Sequence, residues 1–165
     1  MTNKAFLSPF GFKFQIKKLP TFVDYVQSVN FPGVVMGETE GVTNPFQKLV
    51  VPGEHMTFRK ISAEFKLDAD LKNYTEIFDW IQGLGKPDNF DQYKNLYDQG
   101  LGSGTQVDAN ILILDANGQP NIRFDFYDVY PTDLSGFKLD YTLTDVEYIT
   151  AEAEFSYREY TYTKL

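Results

Sequence analysis

Apolar and polar positions alternate with a period of two through most of the chain. Phe10, Phe12, Phe14 and Ile16 are separated by Gly, Lys and Gln, which predicts a half-buried strand. Leu19-Pro20 interrupts it, and FVDYVQSV (22–29), less cleanly patterned, reads as a second strand. Two Pro-Gly pairs, Pro32-Gly33 and Pro52-Gly53, mark turns, and VVM and LVV between them read as short strand stems. The intervening GETEGVTNPF is polar and glycine-rich, so Gly37 to Phe46 is expected to be the tip of a long hairpin protruding from the body. Met56 and Phe58 hold one phase of alternation; Ile61, Ala63, Phe65 and Leu67 hold the other. That slip predicts a bulge or bend at Arg59-Lys60.

After LDAD the period turns helical. Leu71, Tyr74, Phe78 and Ile81 recur at steps of three, four and three, with Ile77 and Trp80 widening the stripe. The spacing predicts a helix from Asp70 to Gly83 that packs through Leu71, Tyr74, Phe78 and Ile81, with Asp68 or Asp70 as its cap. NFDQYKNLYD (89–98) reads as a second short helix and LGSGTQ (101–106) as a link. ANILILD and NIRFDF flank Asn117-Gly118, a signal for a tight hairpin with positive φ at both residues. NIRFDFYDVY stops at Pro131, and FKLDY resumes after TDLSG. A last long strand places Ile149, Ala151, Ala153, Phe155 and Tyr157 on one face and Thr150, Glu152, Glu154, Ser156 and Arg158 on the other.

The order of elements predicts a mainly β fold: an antiparallel β-sandwich or barrel with one principal flanking α-helix and a long protruding hairpin. At 165 residues the simplest expectation is one domain spanning 1–165. Fifteen Phe and eleven Tyr against one Trp favour strands, where rings pack on a pleated surface. There is no cysteine, which excludes disulfides, thiolate metal sites and Cys nucleophiles. No apolar run approaches the roughly 20 residues that span a bilayer, so no membrane partner is expected. The N-terminal stretch lacks the long apolar core of a signal peptide. A net charge of −8 argues against a groove that grips nucleic acid.

Candidate chemistry is sparse. His55, the single histidine, follows a Pro-Gly turn with no nucleophile signature near it, and reads as a turn residue. Gly102-Ser103-Gly104 lacks the Lys and the strand-to-helix context of a phosphate loop. Asp115, Asn117 and Gly118 hint at a calcium loop, but Phe126 stands where its twelfth-position acid belongs. Asp68 and Asp70 open a helix, where the macrodipole favours acids without catalysis. The tyrosines of YREYTYT come with one Arg, and cross-strand packing accounts for them. No nucleophile–base pair, metal cluster or cofactor fingerprint emerges, so neither an enzyme nor a cofactor is expected.

Three segments, in order, resemble the tail tube proteins of contractile-tailed bacteriophages. FPGVVMGETEGVTNPFQKLVVPG resembles their long loop, and MTFRKISAEFKLDADLKNYTEIFDWI their strand followed by an aromatic-rich helix ending near Asp79-Trp80. VYPTDLSGFKLDY resembles their aromatic-Pro-Thr turn and the strand carrying Leu139-Asp140-Tyr141. Together they span about Phe10 to Tyr160. The resemblance implies a structural subunit of the virion, assembled in the host cytoplasm. It would form homohexameric rings that stack into a tube and let double-stranded DNA pass without sticking. The implied partners are further copies of the chain, the tail sheath, and baseplate or terminator proteins. Within that picture Gly37, Glu38, Thr39, Glu40, Gly41, Val42, Thr43, Asn44, Pro45 and Phe46 make contacts between rings. Tyr130, Pro131, Thr132 and Asp133 form an assembly turn.

From Leu139 to Tyr162 six acids face one base, Arg158, and Glu152 and Glu154 share the face opposite the core, which makes them the candidates for a channel lining. A baseplate tube-initiator or tail-end adaptor ring of the same fold is an alternative. A monomeric ligand-binding β-barrel is an alternative of another class.

Overall fold

The computed structural model of the protein describes residues 7, 9, 11–41, 46, 49–99, 105–142 and 148–165. Its elements in chain order are β1 (Phe12–Ile16), α1 (Pro20–Asp24), β2 (Val26–Asn30), β3 (Val34–Glu40), β4 (Val50–Phe58) and β5 (Ile61–Lys66). There follow α2 (Lys72–Gly85), α3 (Phe90–Gln99), β6 (Val107–Leu114), β7 (Pro120–Leu134), β8 (Thr150–Ser156) and β9 (Glu159–Lys164). Every strand pairing is antiparallel, and the fold is mainly β.

Seven strands run in the order β1-β6-β7-β8-β5-β2, with β9 also on β7. The first half of β7 pairs with β6 and β9, its second half with β8. One strand therefore belongs to two layers, β1-β6-β7-β9 and β7-β8-β5-β2. Alternation turns Phe14, Ile16, Ala109, Ile111 and Phe126 of the first layer inward against Ile61, Phe65, Ala153 and Phe155 of the second. Phe22 of α1 is fully buried between them, 4.9 Å from the Phe65 ring and 5.8 Å from Phe155. Burying side chains of this size stabilises by about 1.5–3 kcal/mol each, and the edge-to-face contacts of the rings add to that.

Several expectations need correction. Residues 22–24, read as the start of a strand, belong to a helical turn over Pro20–Asp24: Pro20 supplies the fixed φ that starts it, and Phe22 swings into the core. The bend at Arg59-Lys60 is where the chain leaves the β3–β4 ribbon for the second layer. At Asn117-Gly118 only Gly118 has positive φ, at 76°. Gly118 N donates to Asp115 O, and Asp115 Oδ1 accepts from Asn117 N and Gln119 N. The aspartate's side chain organises a longer loop, so the two-residue turn with two positive φ angles is not needed.

Pro131 does not break the strand. It lies inside β7, buried and opposite Phe155, beyond the last residue paired with β6, so its missing N–H costs no ladder bond. The bend sits earlier, at Asp128, whose φ is 57°. Tyr130, Pro131, Thr132 and Asp133 are accordingly strand residues, with a register shift between Pro131 and Asp133. Residues 135–142 form no strand; Asp140 Oδ1 accepts from Thr142 N and Oγ1 in a local turn.

Helix α2 starts later than expected and without an aspartate cap. Leu71, in the left-handed region at φ 54°, precedes it with no side-chain cap. The fully buried Asn73 does the anchoring: its Nδ2 donates to Lys66 O at 2.7 Å and its Oδ1 accepts from Asp68 N at 3.3 Å. The packing face is Asn73, Ile77, Trp80 and Gly83, with Tyr74, Ile81 and Leu84 beside it. Phe78, expected on that face, is 50% exposed. At about 100° per residue, a stripe centred on 71/74/78/81 is displaced by roughly one position, which puts Phe78 on the outside.

Candidate assembly surfaces

Strands β3 and β4 pair only with each other and form a separate two-stranded ribbon. All seven residues of β3 are exposed, the apolar Val34, Val35 and Met36 among them, and so are Val50 and Met56 of β4, the two methionines at 54% and 56%. The ribbon's two roots meet in one aromatic cluster. Phe31, just before β3, stacks edge-on to Phe124 at 4.6 Å and Tyr160 at 5.6 Å; Phe58, at the end of β4, lies 5.3 Å from Tyr160. Arg59 N donates to Gly33 O at 3.0 Å and closes the neck.

Midway along, the register jumps from Met36↔Met56 to Glu38↔Pro52, so Gly37 faces three residues. Gly53 is buried there against Gly37: a Cβ on Gly53 would meet Gly37 C and O at 2.7 Å. Of the predicted tip, Gly37, Glu38, Thr39 and Glu40 are strand residues, Gly41 N donates to Leu49 O, and Phe46 is 97% exposed. Val42, Thr43, Asn44 and Pro45 lie outside the described residues. His55, read as a turn residue, is an exposed position of β4.

The outward face of the second layer is acidic. Glu64 stands directly opposite Glu152, and Glu154 lies between Ser62 and Asp133 on its two neighbouring strands. Like charges in direct opposition are destabilising across a strand pair. Lys60 Nζ, 3.1 Å from Glu154 Oε2, is the cation paired with it. A groove of about 610 Å³ runs over this face, lined in part by Ser28, Asn30, Ser62, Glu64 and Glu152. Ser135 ties the chain after β7 to it, accepting at Oγ from Glu152 N at 2.7 Å and donating its own N–H to Glu152 O at 2.8 Å.

Further apolar side chains stand out from the loop after β7 (Leu139, Tyr141, Tyr148) and from α3 (Phe90, Tyr97). Asp140 in that loop is held down at about 2 by the Lys138 ammonium and by Thr142's hydroxyl and N–H. The tyrosines of the C-terminal strand pack across β7 as cross-strand partners: Tyr162 opposes Phe124 and Tyr160 opposes Phe126. Among the described residues no three His, Asp or Glu side chains gather to hold a metal ion. No helix of the described residues is long and apolar enough to cross a membrane. Sequence reasoning missed the Gly37–Gly53 contact, although two Gly residues at matching depth in a hairpin were the available signal.

No protein-family model matches the sequence, and no curated protein matches it significantly. Solved structures do match in shape. One is the sheath/tube terminator of an extracellular contractile injection system in its extended state, 15% identical, covering 98% of this chain and 99% of that one, with a TM-score of 0.66. Another is the tube-terminating cap of the anti-feeding prophage, 12% identical, covering 100% and 95%, with a TM-score of 0.63. A third is the sheath–tube complex of an extracellular contractile injection system, 12% identical, covering 99% and 95%, with a TM-score of 0.57. The chain thus has, over its whole length, the tail-tube-type fold found in contractile injection assemblies.

Proposed function

We propose that the protein is a structural, non-catalytic subunit of a phage-tail-like contractile particle, forming rings that belong to its tube. The ribbon carries this reading. Monomeric proteins seldom leave a protruding sheet with apolar side chains exposed on both faces, and such surface marks contact with other chains. The shared fold with tube and terminator assemblies supports it. In this reading Gly37 to Phe46 reaches a neighbouring ring, and Tyr130 to Asp133 pass close to an adjacent subunit. Sheath and baseplate or terminator proteins complete the set of partners.

The second layer's acidic face, with Glu152 and Glu154, lines the channel. Rings of carboxylate keep a duplex off the wall over a distance of about 8–10 Å, the Debye length at physiological salt. Lys and Arg there would instead bind phosphates and slow its passage. The number of subunits per ring is proposed as six.

Sedimentation velocity and native mass spectrometry of the purified chain, followed by negative-stain imaging, test the reading. Rings of six copies with an open centre are expected; a strict monomer at high concentration would overturn it. A second reading, a ring that ends a tube instead of extending it, is favoured by the higher similarity to the cap and terminator structures than to the sheath–tube complex. Isolated rings that cap preformed tubes would select it, and rings that stack into long tubes would select the shaft.

A further inference from the structure

A cleft of about 410 Å³ lies where the turn after β1 meets α2 and α3, away from the ribbon and from the acidic face. Lys18 and Leu19 line one wall, Glu76, Asp79 and Trp80 of α2 a second, and Gln92 and Asn95 of α3 a third. The volume falls in the range of small-molecule sites. Two of its charged groups are unsatisfied. Lys18 Nζ is out of contact with solvent and has no hydrogen-bond partner, and the same is true of Glu76 Oε2. Buried polar atoms in folded proteins nearly always find a partner, so two of opposite sign in one cleft call for an explanation. The Lys18 ammonium does sit over the Trp80 ring, 4.9 Å from its centroid. That contact offsets part of its desolvation but satisfies none of its three donors. Burial correspondingly pushes the Lys18 pKa below the ordinary lysine value. Trp80 is itself fixed, 1% exposed, with Nε1 donating to Thr105 O at 3.1 Å.

Charge decides what the cleft can accept. A phosphate or other simple anion would meet Lys18 but also Glu76 and Asp79. A bare cation would meet the two carboxylates but also the Lys18 ammonium. An apolar group would leave both buried atoms unpaired, which is strongly unfavourable for charged groups. The group that satisfies both is dipolar, with a donor cation at one end and an acceptor at the other. Glu76 and Asp79 are three residues apart on α2, neighbours on the helix surface, and can share one ammonium.

We propose that this cleft binds a primary α-ammonium group together with the carbonyl or carboxylate oxygen beside it. The ammonium donates to Glu76 and Asp79, and the oxygen accepts from Lys18. That chemistry has two sources, a free α-amino acid and the N-terminus of a peptide. The site does not depend on the ring-forming reading and would be present in a monomer.

Trp80 is the only tryptophan of the chain and lines the cleft, so its emission reports occupancy directly. The full-length protein would be titrated with three probes: free amino acids, a dipeptide amide with a free N-terminus, and the same dipeptide N-acetylated. A saturable change in Trp80 emission below about 10 mM is expected with the free amine and absent with the acetylated probe. Response to the amino acids alone, or to the dipeptide amide as well, identifies the source. Glu76→Gln should weaken binding about tenfold or more while far-UV circular dichroism stays unchanged. If that variant fails to fold, the acetylation contrast on the unaltered chain still decides. No saturable change with any free amine would overturn the proposal, with water alone then bridging the two charges. Equal response to the acetylated probe, or a folded Glu76→Gln variant that binds as tightly, would overturn it too.

Discussion

Asp128 and Arg158 face each other where β7 bends and the chain passes from β8 to β9. The register on either side, Tyr127↔Glu159 and Tyr130↔Ser156, sets them opposite, and Arg158 Nη1 donates to Asp128 Oδ2 at 3.0 Å. Arg158 N also donates to Tyr127 O, and β6 loses register with β7 at the same place. The bulge and the ion pair together hold the angle at which β7 passes from one layer to the other. Asp128 has a left-handed backbone, which costs an alanine about 1 kcal/mol and a glycine almost nothing. Both Asp128→Ala and Asp128→Gly lose the ion pair, so their difference isolates the backbone. Urea unfolding should find the glycine variant more stable by about 1 kcal/mol. An alanine variant as stable as the glycine one would show that the bend is not fixed by this φ.

Adjacent residues of α2 should respond in opposite ways to truncation. Ile77 is fully buried and Phe78 is half exposed. Ile77→Ala is expected to cost about 2–5 kcal/mol in chemical denaturation. Phe78→Ala should change the subunit's stability by less than about 1 kcal/mol. A loss of 3 kcal/mol or more at Phe78 would contradict the orientation of the helix.

Tyr157 sits 5.0 Å from the Phe126 ring, with its hydroxyl buried and without a partner. Burial pushes its pKa well above the ordinary tyrosine value, and the neighbouring Tyr160 adds to the shift. A raised folded-state pKa means the folded chain keeps a proton that the unfolded chain gives up. The associated stability is complete below the unfolded value of about 10 and is lost as pH rises beyond it towards the folded one. Tyr157→Phe should be neutral or stabilising by up to about 1 kcal/mol at pH 7. It should also flatten the decline of stability above about pH 10. Thermal melts of both proteins across that range check it; a clear loss at pH 7 would mean the hydroxyl has a partner.

Gly53→Ala tests the ribbon without removing it. The added Cβ collides with the Gly37 backbone at 2.7 Å, so the two strands must part at the bulge. The body should be untouched, with a melting temperature within about 3 °C of the unaltered chain. Ring formation should fail, as it should when Glu38 to Asn44 is replaced by a two-residue turn. Rings assembling normally from either variant would remove the ribbon from the contact.

The strands of the body were legible because a period of two is unambiguous when one face is wholly buried. Ala151, Ala153 and Phe155 could hardly be placed otherwise. Where the pattern failed, a tertiary contact had taken over a local choice. Phe22 left a strand-like run for a helical turn because the core had room for its ring. Asn73, polar and mid-sequence, carries no amphipathic signal, yet its bonds to Lys66 and Asp68 set where α2 begins and which face turns inward. Pro131 reads as a stop, and only the absence of β6 beside it makes it acceptable in a strand. The exposed ribbon was visible as two Pro-Gly pairs around a polar tip. The opposition of Glu64 to Glu152 was not, because it depends on register between strands far apart in sequence.

The ribbon's isolation has a kinetic consequence. Two strands with neither face covered are only marginally stable in water, so in a dilute subunit the arm opens and closes far more often than the body unfolds. Amide hydrogens from Val34 to Glu40 should exchange orders of magnitude faster than those of β5 or β8. Under the proposed assembly, the surface that receives the arm would have to supply the free energy that orders it, which would weaken each first encounter and leave a wrongly seated subunit free to depart. In the proposed ring, neighbours holding the arm on both sides would already have met that cost, and release would be slow. On the proposed reading, a subunit built this way would correct its errors early and commit late.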